Sequence, residues 1–212
     1  MNLDLFSDPM RQVLGPGTVV LRRFALAEED ALLDSIAAVV AAAPLRHMCT
    51  PGGLPLSAAM TNCGALGWVT DRGGYRYQST DPESGNPWPA MPAAFLRLAR
   101  VAAEAGGFSS FVPDACLINR YIPGSRLTMH QDKDEVDLHA PIVSVSLGID
   151  AVFVFGGFER GEPGTRVPLR HGDVVVWGGP DRMRFHGVRP LVGGNHRRLG
   201  QQRINLTLRR AG

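Results

Sequence analysis

The second half of the chain is a series of short apolar runs separated by Gly, Pro and Asp. In PIVSVSLG, residues 141–148, apolar and small polar residues alternate, as in a strand that buries one face. Runs of this kind, recurring with turn residues between them, are typical of an antiparallel sandwich or jelly roll. We therefore predict a mainly β core over about residues 115–210, built from the runs ACLINRY, RLTMH, PIVSVSLG, AVFVFGG, TRVPLR, DVVVWGG, MRFHGV and RINLTLR.

Two segments of the first half have the periodicity of amphipathic helices. Residues 27–43 begin with acidic residues, place apolar side chains at helical spacing and end before Pro44. Residues 91–107 have a proline near the start and a glycine pair at the end. Between them, residues 44–90 are rich in Gly, Pro, Thr and aromatic residues, which predicts binding loops rather than a strand of the core sheet. The overall prediction is a single α+β domain, 1–212, that is mainly β.

Composition and charge narrow the class of protein. With 212 residues, 44% hydrophobic and 20% charged, the chain has the composition of one ordinary globular domain. The N-terminus is acidic and lacks the features of a secretory signal, and no apolar run is long enough to span a membrane. Cys49, Cys63 and Cys116 are odd in number and widely spaced, which argues against a disulfide framework.

We expect a cytoplasmic monomer that does not bind membranes. Its net charge of +2 means that any contact with nucleic acid requires a local patch.

The segment HQD, residues 130–132, has the spacing of a pair of metal ligands. In an extended strand, side chains at i and i+2 lie on the same face, so His130 and Asp132 project together. They are two of the three ligands in the two-histidine, one-carboxylate triad that binds non-haem Fe(II). The pair also occurs often by chance, and a lone strand histidine is more often structural than a ligand. We rank His186 first as the third ligand because it lies in a strand-like run well after the pair. The alternatives are His47, His139, His171 and His196.

The final run, RINLTLR, predicts an anion pocket. Every second residue of this run would lie on one strand face, which places two guanidinium groups, an amide and a hydroxyl together: Arg203, Asn205, Thr207 and Arg209. An edge strand with a polar outer face would have the same pattern. A dicarboxylate inside a barrel also requires such arginines, because a guanidinium group forms two charge-assisted hydrogen bonds with a carboxylate. Asn119 and Tyr121 share another strand face and add hydrogen-bond donors. A metal triad beside such a pocket indicates Fe(II) and 2-oxoglutarate.

The segments NRY, HQDKDE, FHG and RINLTLR resemble motifs of the AlkB family of nucleic-acid dealkylating dioxygenases. TPGG, MTNCGALGW, NPWPAMP, PDACLINRY, APIVSVSLG and HGDVVVWGG are also similar, so the resemblance covers nearly the whole chain. It implies a double-stranded β-helix (jelly-roll) core with flanking helices and a nucleotide-recognition lid, which corresponds to residues 44–90. The implied reaction uses Fe(II), O2 and 2-oxoglutarate to demethylate 1-methyladenine and 3-methylcytosine in DNA, and also in RNA. Formaldehyde, succinate and CO2 would be released, which amounts to direct reversal of DNA damage.

The resemblance also implies which residues act. Iron would be bound by His130, Asp132 and His186, and 2-oxoglutarate by Asn119, Tyr121, Arg203, Asn205 and Arg209. The substrate positions of the family correspond to Trp68, Tyr75, Tyr77, Asp134 and Arg160. We also expect Arg76 to bind the substrate, through its phosphates. A base taken out of the stack needs an aromatic surface and a polar group that reads its edge, which fits Trp68 and Asp134. Thr50 and Met60 are expected to be pocket walls, and Trp88 and Trp177 core residues.

Two other functions share some of these features. An oxygenase that acts on a protein side chain or a small molecule would have the same triad, although Trp68, Tyr75 and Asp134 argue against it. A binding module for damaged nucleic acid would not need an oxidisable metal. Single-stranded DNA, double-stranded DNA and RNA all stay open as substrates.

Overall fold

A computed structural model describes residues 10–212, so most of the acidic N-terminal segment lies outside the described residues. The described chain contains two α-helices, α1 (Glu29–Ala42) and α2 (Ala93–Ala105), and short 3-10 helices at Leu26–Glu28 and Gly179–Asp181. Its strands are β1 (Arg11–Gly15), β2 (Thr18–Leu21), β3 (Ala59–Gly64), β4 (Gly67–Asp71), β5 (Gly74–Gln78), β6 (Ala115–Tyr121), β7 (Leu127–His130), β8 (Ile142–Gly148), β9 (Ala151–Phe155), β10 (Thr165–Leu169), β11 (Val174–Trp177), β12 (His186–Val188) and β13 (Arg203–Arg209).

The strands form two antiparallel sheets and a separate hairpin. The larger sheet has seven strands in the order β1-β2-β11-β8-β13-β6-β3, and the smaller has four in the order β10-β9-β12-β7. Among the described strands, β4 and β5 pair only with each other. Every run predicted as a strand in the second half of the chain is one of β6 to β13, which confirms a mainly β, jelly-roll fold.

Both helices cover one face of the seven-stranded sheet. Leu32 of α1 and Phe95 of α2 lie in the same buried cluster as Val145 of β8 and Leu206 of β13. The observed helices confirm those predicted from periodicity, with small differences at their ends. Helix α1 ends before Pro44 because a residue that precedes proline is disfavoured in the helical conformation. No helix in the described part of the chain has the length and apolarity needed to cross a membrane.

Alternation along β13 separates the core from the cavity described below. Its odd-numbered side chains, Arg203, Asn205, Thr207 and Arg209, line that cavity. The apolar residues between them, Ile204, Leu206 and Leu208, pack into the cluster under the helices. All seven residues of the strand are buried. The polar face predicted from the sequence is therefore an interior wall and not an exposed edge.

The prediction that residues 44–90 contribute no strand to the core sheet was wrong. Strand β3 pairs along β6, with Ala59 opposite Arg120 and Gly64 opposite Ala115. Its sequence, AMTNCG, has one β-branched residue, Thr61, and no aromatic residue, so it carries little of the composition that marks most strands. Pairing with the edge of β6 decides its conformation, since strand preference depends on tertiary context. The β1–β2 hairpin was not predicted either.

Candidate active site

A cavity of about 550 Å³ is lined by residues of both sheets and of the β4–β5 hairpin. This volume lies within the usual range for small-molecule sites. Its deep wall consists of polar residues on β6, β8 and β13: Asn119, Tyr121, Ser144, Arg203, Asn205, Thr207 and Arg209. The opposite wall comes from β9 and β12, and the mouth carries Trp68, Tyr75, Lys133 and Asp134.

Two histidines and an aspartate meet on one side of the cavity. His130 ends β7 and His186 begins β12, and these two residues are directly opposite each other in the antiparallel pair. The Nε2 atoms of His130 and His186 lie 3.5 and 3.6 Å from the two carboxylate oxygens of Asp132. Their Nδ1 atoms lie 2.9 Å from the carbonyl of Thr128 and 3.0 Å from that of Arg184. A carbonyl only accepts, so each Nδ1 carries the proton and each Nε2 keeps a free lone pair. The three ligand atoms form a group that can hold a metal ion.

Gly187 allows the two histidines to come together. A Cβ atom at this position would lie 2.7 Å from the Leu127 carbonyl oxygen and 3.2 Å from the Met129 nitrogen, both on the neighbouring strand β7. A side chain there would push β12 away from β7, and with it His186 away from His130. The glycine in FHG is therefore explained by a close approach of two backbones.

The charges around Asp132 keep its carboxyl group ionised. Burial raises the pKa of Asp132, but the positive charge of Arg209 and the two neighbouring imidazoles outweigh it and hold the pKa well below its usual range. Burial and the nearby His130 lower the pKa of His186. Burial lowers the pKa of His130, but the neighbouring Asp132 outweighs this effect and raises it. Metal binding requires a carboxylate and neutral imidazoles, so the low pKa values of Asp132 and His186 favour it, whereas His130 has to release any proton on Nε2.

Unpaired polar atoms on the deep wall fit a dicarboxylate. Arg203 is 1% exposed, and within residues 10–212 only one of its guanidinium nitrogens, Nη2, donates to a protein group, the Ser146 hydroxyl at 2.9 Å. Its Nε and Nη1 atoms and the Tyr121 hydroxyl are buried without a partner. A buried charge with unpaired donors is costly unless an anion completes it. Two of the 2-oxoglutarate ligands predicted from the sequence, Arg203 and Tyr121, thus have unsatisfied polar atoms at this end of the cavity.

Aromatic and acidic residues surround the mouth of the cavity. Trp68 and Tyr75 stack with their ring centroids 5.7 Å apart and an interplanar angle of 20°. The Trp68 indole nitrogen donates to Asp134 Oδ2 at 3.0 Å. Arg160 donates to the Met129 carbonyl at 2.6 Å and reaches the same cavity. This combination of a flat aromatic surface with a carboxylate is suited to a planar, cationic ligand.

Buried Asn62 holds Trp68 at this position. The Asn62 side chain donates to the Trp68 carbonyl and accepts from the Trp68 N–H, both at 3.0 Å. These two hydrogen bonds satisfy the backbone of Trp68 as a neighbouring strand would, and they fix the position of β4. The indole nitrogen of Trp88 also anchors the hairpin, because it donates to the Gln78 carbonyl at 3.0 Å.

The comparisons with known proteins agree with this geometry. Residues 17–209 match the family model described as the 2OG-Fe(II) oxygenase superfamily. The chain belongs to this superfamily. It is 57% identical over 211 residues to "Alpha-ketoglutarate-dependent dioxygenase AlkB" of Salmonella typhimurium. The alignment covers 99% of this chain and 98% of the relative. "Nucleic acid dioxygenase ALKBH1" of Mus musculus is 34% identical over 124 residues, which covers 58% of this chain and 31% of the relative.

A solved structure supports the same assignment. "The structure of OsALKBH1" superposes with a TM-score of 0.81 at 28% identity, covering 94% of this chain and 99% of that one. The protein is therefore an Fe(II)- and 2-oxoglutarate-dependent oxygenase, as its sequence predicted.

The cavity of this oxygenase brings together most of the residues that were predicted from the sequence. Twelve of them line it: Trp68, Asn119, Tyr121, His130, Asp132, Asp134, Tyr75, Arg160, His186, Arg203, Asn205 and Arg209. Thr50 and Met60 are also walls, as expected. Trp88 and Trp177 are buried, as expected, although Trp177 also touches the cavity and its ring lies 4.9 Å from that of His186.

Two predicted substrate residues do not line the cavity. Two guanidinium nitrogens of Arg76 donate to the Asp71 carboxylate, at 2.8 and 3.0 Å. The guanidinium group therefore lies against the β4–β5 hairpin and does not point into the cavity. The Tyr77 hydroxyl donates to Glu135 at 2.7 Å beneath the hairpin. In both cases an acidic residue with no predicted role, Asp71 or Glu135, holds the side chain in place.

Several residues of the site were not predicted. Ser144 and Ser146 of β8 hydrogen-bond to Asn205 and Arg203, at 2.8 and 2.9 Å. Their signal was present, because they are the small polar residues that alternate in PIVSVSLG. Glu135 gave no such signal, since it belongs to an acidic run that is equally typical of a solvated turn.

A second cluster, Glu29, His171 and His196, also has the composition of a metal site. The backbone N–H of Gly148 donates to His171 Nδ1 at 2.9 Å, so this nitrogen carries no proton and Nε2 carries it. A metal-binding imidazole has the opposite arrangement, because it donates through the nitrogen that does not bind. We therefore interpret the cluster as a structural contact between α1 and two loops.

Proposed function

We propose that this oxygenase is a dioxygenase that removes methyl groups from ring nitrogens of 1-methyladenine and 3-methylcytosine in nucleic acid. The observation that carries the proposal is the stacked pair Trp68 and Tyr75 with Asp134 at the mouth of the cavity that contains the triad. The printed names of its relatives, an AlkB dioxygenase and a nucleic acid dioxygenase, support a nucleic-acid substrate.

In this proposal, Fe(II) is bound by His130 Nε2, a carboxylate oxygen of Asp132 and His186 Nε2. The bound metal supplies, with O2 and 2-oxoglutarate, the oxidation of the methyl group to hydroxymethyl. The carbonyls of Thr128 and Arg184 keep both rings in the tautomer that presents Nε2. The hydroxymethyl base then releases formaldehyde, while the cosubstrate leaves as succinate and CO2.

The deep wall holds 2-oxoglutarate. Arg203, with two unpaired N–H groups beside the unpaired Tyr121 hydroxyl, binds the carboxylate far from the metal. Arg209, whose guanidinium group contacts Asp132, meets the carboxylate that approaches the metal. Asn119 and Asn205 complete the pocket with amide groups. Because these donors are buried, the carboxylates of the cosubstrate gain strong charge-assisted hydrogen bonds from them.

The mouth holds the damaged base. The aromatic pair provides the stacking surface for a base that has left the helix, and such stacking is worth about 1–3 kcal/mol per base. Methylation at N1 of adenine or N3 of cytosine makes the base cationic. Asp134 has a second oxygen besides the one that accepts from Trp68, and this oxygen accepts from the exocyclic amino group and favours the charged base. Arg160 contributes a positive charge where the sugar-phosphate backbone enters.

The remaining predictions from the sequence belong to the same proposal. We divide the single domain, 1–212, into a lid within residues 44–90 that contains the β4–β5 hairpin and a catalytic core over about residues 115–210. Alkylated single- or double-stranded DNA is the proposed partner, with RNA as a second substrate, and the protein acts as a cytoplasmic monomer.

Mass spectrometry of defined oligonucleotides tests the proposal. Single-stranded DNA and RNA oligonucleotides, each with one 1-methyladenine, are incubated with the protein, Fe(II), ascorbate and 2-oxoglutarate in air. We expect loss of the methyl group that requires 2-oxoglutarate and disappears with Asp132→Ala. Succinate formation without any loss of the methyl group would contradict the nucleic-acid substrate while leaving the oxygenase assignment intact.

A further inference from the structure

Glu135 is a buried carboxylate that the proposed mechanism does not use. It lies in the loop after β7, three residues beyond Asp132, and its side chain is 2% exposed. Three groups contact its two carboxylate oxygens. One belongs to the β4–β5 hairpin, one to the segment that follows β11, and one to β13. A carboxylate buried to this extent requires such partners, because an unpaired buried charge is strongly destabilising.

Two of these groups are guanidinium groups. Arg182 Nη2 donates to Glu135 Oε2 at 3.0 Å, and Arg209 Nε lies 3.2 Å from Glu135 Oε1. Arg182 also donates to the carbonyl oxygens of Asp132, at 2.6 Å, and of Ala140, at 3.2 Å. Arg182 and Glu135 therefore fasten the loop that carries the metal ligand Asp132 to the core.

Arg209 is shared between two carboxylates. Its Nε and Nη2 atoms donate to Asp132 Oδ2 at 3.1 and 2.8 Å, and the same Nε faces Glu135. Without Glu135, Asp132 would be the one carboxylate in the described part of the chain that still pairs with this guanidinium group. Arg209 would then turn further towards the metal ligand and away from the direction from which a cosubstrate carboxylate arrives.

The third group is the Tyr77 hydroxyl, which donates to Glu135 Oε1 at 2.7 Å. Burial raises the pKa of Tyr77, so the hydroxyl keeps its proton and remains a donor. Tyr77 is opposite Trp68 in the hairpin and on the same strand as Tyr75. A continuous chain of polar contacts thus runs from the hairpin with the aromatic pair, through Glu135, to Arg209.

We propose that Glu135 is a positioning residue: it orients the guanidinium group of Arg209 for the carboxylate of 2-oxoglutarate, and the Tyr77 hydroxyl orients Glu135. The inference rests on the proposed role of Arg209 in binding 2-oxoglutarate. It gives Tyr77 a function that differs from the base contact implied by the family resemblance. It also makes cosubstrate affinity depend on the β4–β5 hairpin, and any such coupling acts equally in both directions.

The test is calorimetric titration of the Mn(II)-loaded protein with 2-oxoglutarate, without nucleic acid and without turnover. Tyr77→Phe keeps the ring and removes only the hydroxyl. We expect its dissociation constant for 2-oxoglutarate to rise about tenfold, the effect of losing one hydrogen bond to a charged group. Glu135→Gln should weaken binding at least as much. Adding Tyr77→Phe to Glu135→Gln should then have little further effect, because both act through the same contact.

Two variants serve as controls. Thr70→Val removes a hydroxyl of the β4–β5 hairpin that donates to the Cys49 carbonyl and not to Glu135, and Glu104→Gln neutralises an exposed carboxylate on α2. Both should bind 2-oxoglutarate like the wild type. Mn(II) affinity, measured separately, should stay near the wild-type value in Tyr77→Phe, whereas general damage to the fold would lower it together with the melting temperature.

The outcomes separate this inference from the proposed function. Wild-type 2-oxoglutarate affinity in both Tyr77→Phe and Glu135→Gln would overturn the positioning role of Glu135. If wild-type protein bound 2-oxoglutarate and Arg209→Ala bound it equally well, the assignment of Arg209 would fail, and the inference with it. Weaker 2-oxoglutarate binding in Tyr77→Phe with unchanged Mn(II) affinity would support both the positioning role of Glu135 and the assignment of Arg209 to the cosubstrate pocket.

Discussion

Arg209 Nη2 lies 2.8 Å from Asp132 Oδ2, so the carboxylate that belongs to the metal triad also pairs with an arginine of the anion pocket. Burial lowers the pKa of Arg209, but Asp132, Tyr77 and Glu135 outweigh this effect and raise it. The two halves of the site, one for metal and one for cosubstrate, therefore share a charge. A change in Asp132 is expected to disturb both.

Asp132→Asn keeps the size of the side chain and removes its charge. Loss of an outer partner of a metal ligand typically costs 10–100-fold in affinity, so loss of the anionic ligand itself should weaken Mn(II) or Fe(II) binding by more than about 100-fold. Turnover should fall below detection. Mn(II) binding followed by electron paramagnetic resonance measures the effect, with Asp150→Asn, at an exposed position after β8, as the control. Unchanged Mn(II) affinity in Asp132→Asn would exclude this carboxylate as a ligand.

Arg203→Met replaces a buried, incompletely paired charge by an apolar side chain of similar length. We expect the protein without ligands to melt at the same or a higher temperature, because buried charges are often less favourable than well-packed apolar groups. In the wild type, 2-oxoglutarate with Mn(II) should raise the melting temperature through binding to the folded state. This rise should vanish in Arg203→Met and persist in Arg166→Met, an exposed control on β10. A ligand-induced rise that survives in Arg203→Met would remove this residue from the pocket.

Substitutions at Trp68 separate stacking from hydrogen bonding. Trp68→Phe keeps an aromatic face and loses the donor to Asp134, whereas Trp68→Ala loses both. Because stacking on a base is worth about 1–3 kcal/mol, Trp68→Ala should weaken binding of the methylated oligonucleotide about tenfold or more. Trp68→Phe should have a smaller effect. Fluorescence anisotropy measures binding, and 2-oxoglutarate affinity provides the internal control. Equal oligonucleotide affinity in all three proteins would contradict base stacking on Trp68.

Because its pKa is lowered in the folded protein, His171 is expected to make the free energy of unfolding depend on pH, independently of catalysis. Burial, and then the nearby His196, lowers the pKa of His171. The unfolded chain therefore binds a proton here more readily than the folded protein. This histidine makes stability fall as pH decreases from its ordinary pKa, about 6.5, to the lower folded value.

His171→Asn tests that effect while retaining an acceptor for the Gly148 N–H. Melting temperatures measured between pH 5 and pH 7.5 should decline less steeply towards acid in the variant than in the wild type. Parallel curves for the two proteins would show that His171 does not contribute to the acid sensitivity.

The sequence could predict those parts of the site that depend on local periodicity. The alternation in RINLTLR and PIVSVSLG identified strands with one polar face, and the HxD spacing placed two ligands on one side. His186 was ranked above the other histidines because it lies in a strand, and β7–β12 pairing brings it opposite His130. A period of two residues is enough to determine which face a side chain occupies.

Contacts between distant segments had no local signal. Strand β3 was missed because its pairing with β6, and not its composition, makes it a strand. Tyr77 was expected to contact the base because it matches a substrate position of the family. Its actual direction depends on Glu135, 58 residues later in the chain. Such a partner becomes visible only when both segments are folded.

The most direct test of the central claim is a product balance in single-turnover conditions. Protein loaded with Fe(II) and 2-oxoglutarate reacts with excess oligonucleotide containing 1-methyladenine, and succinate, formaldehyde and restored adenine are quantified together. Our account predicts equal amounts of the three products, because one site joins cosubstrate oxidation to methyl removal. Succinate formed without matching formaldehyde and adenine would show that the cavity oxidises 2-oxoglutarate without acting on this base, and would contradict the account.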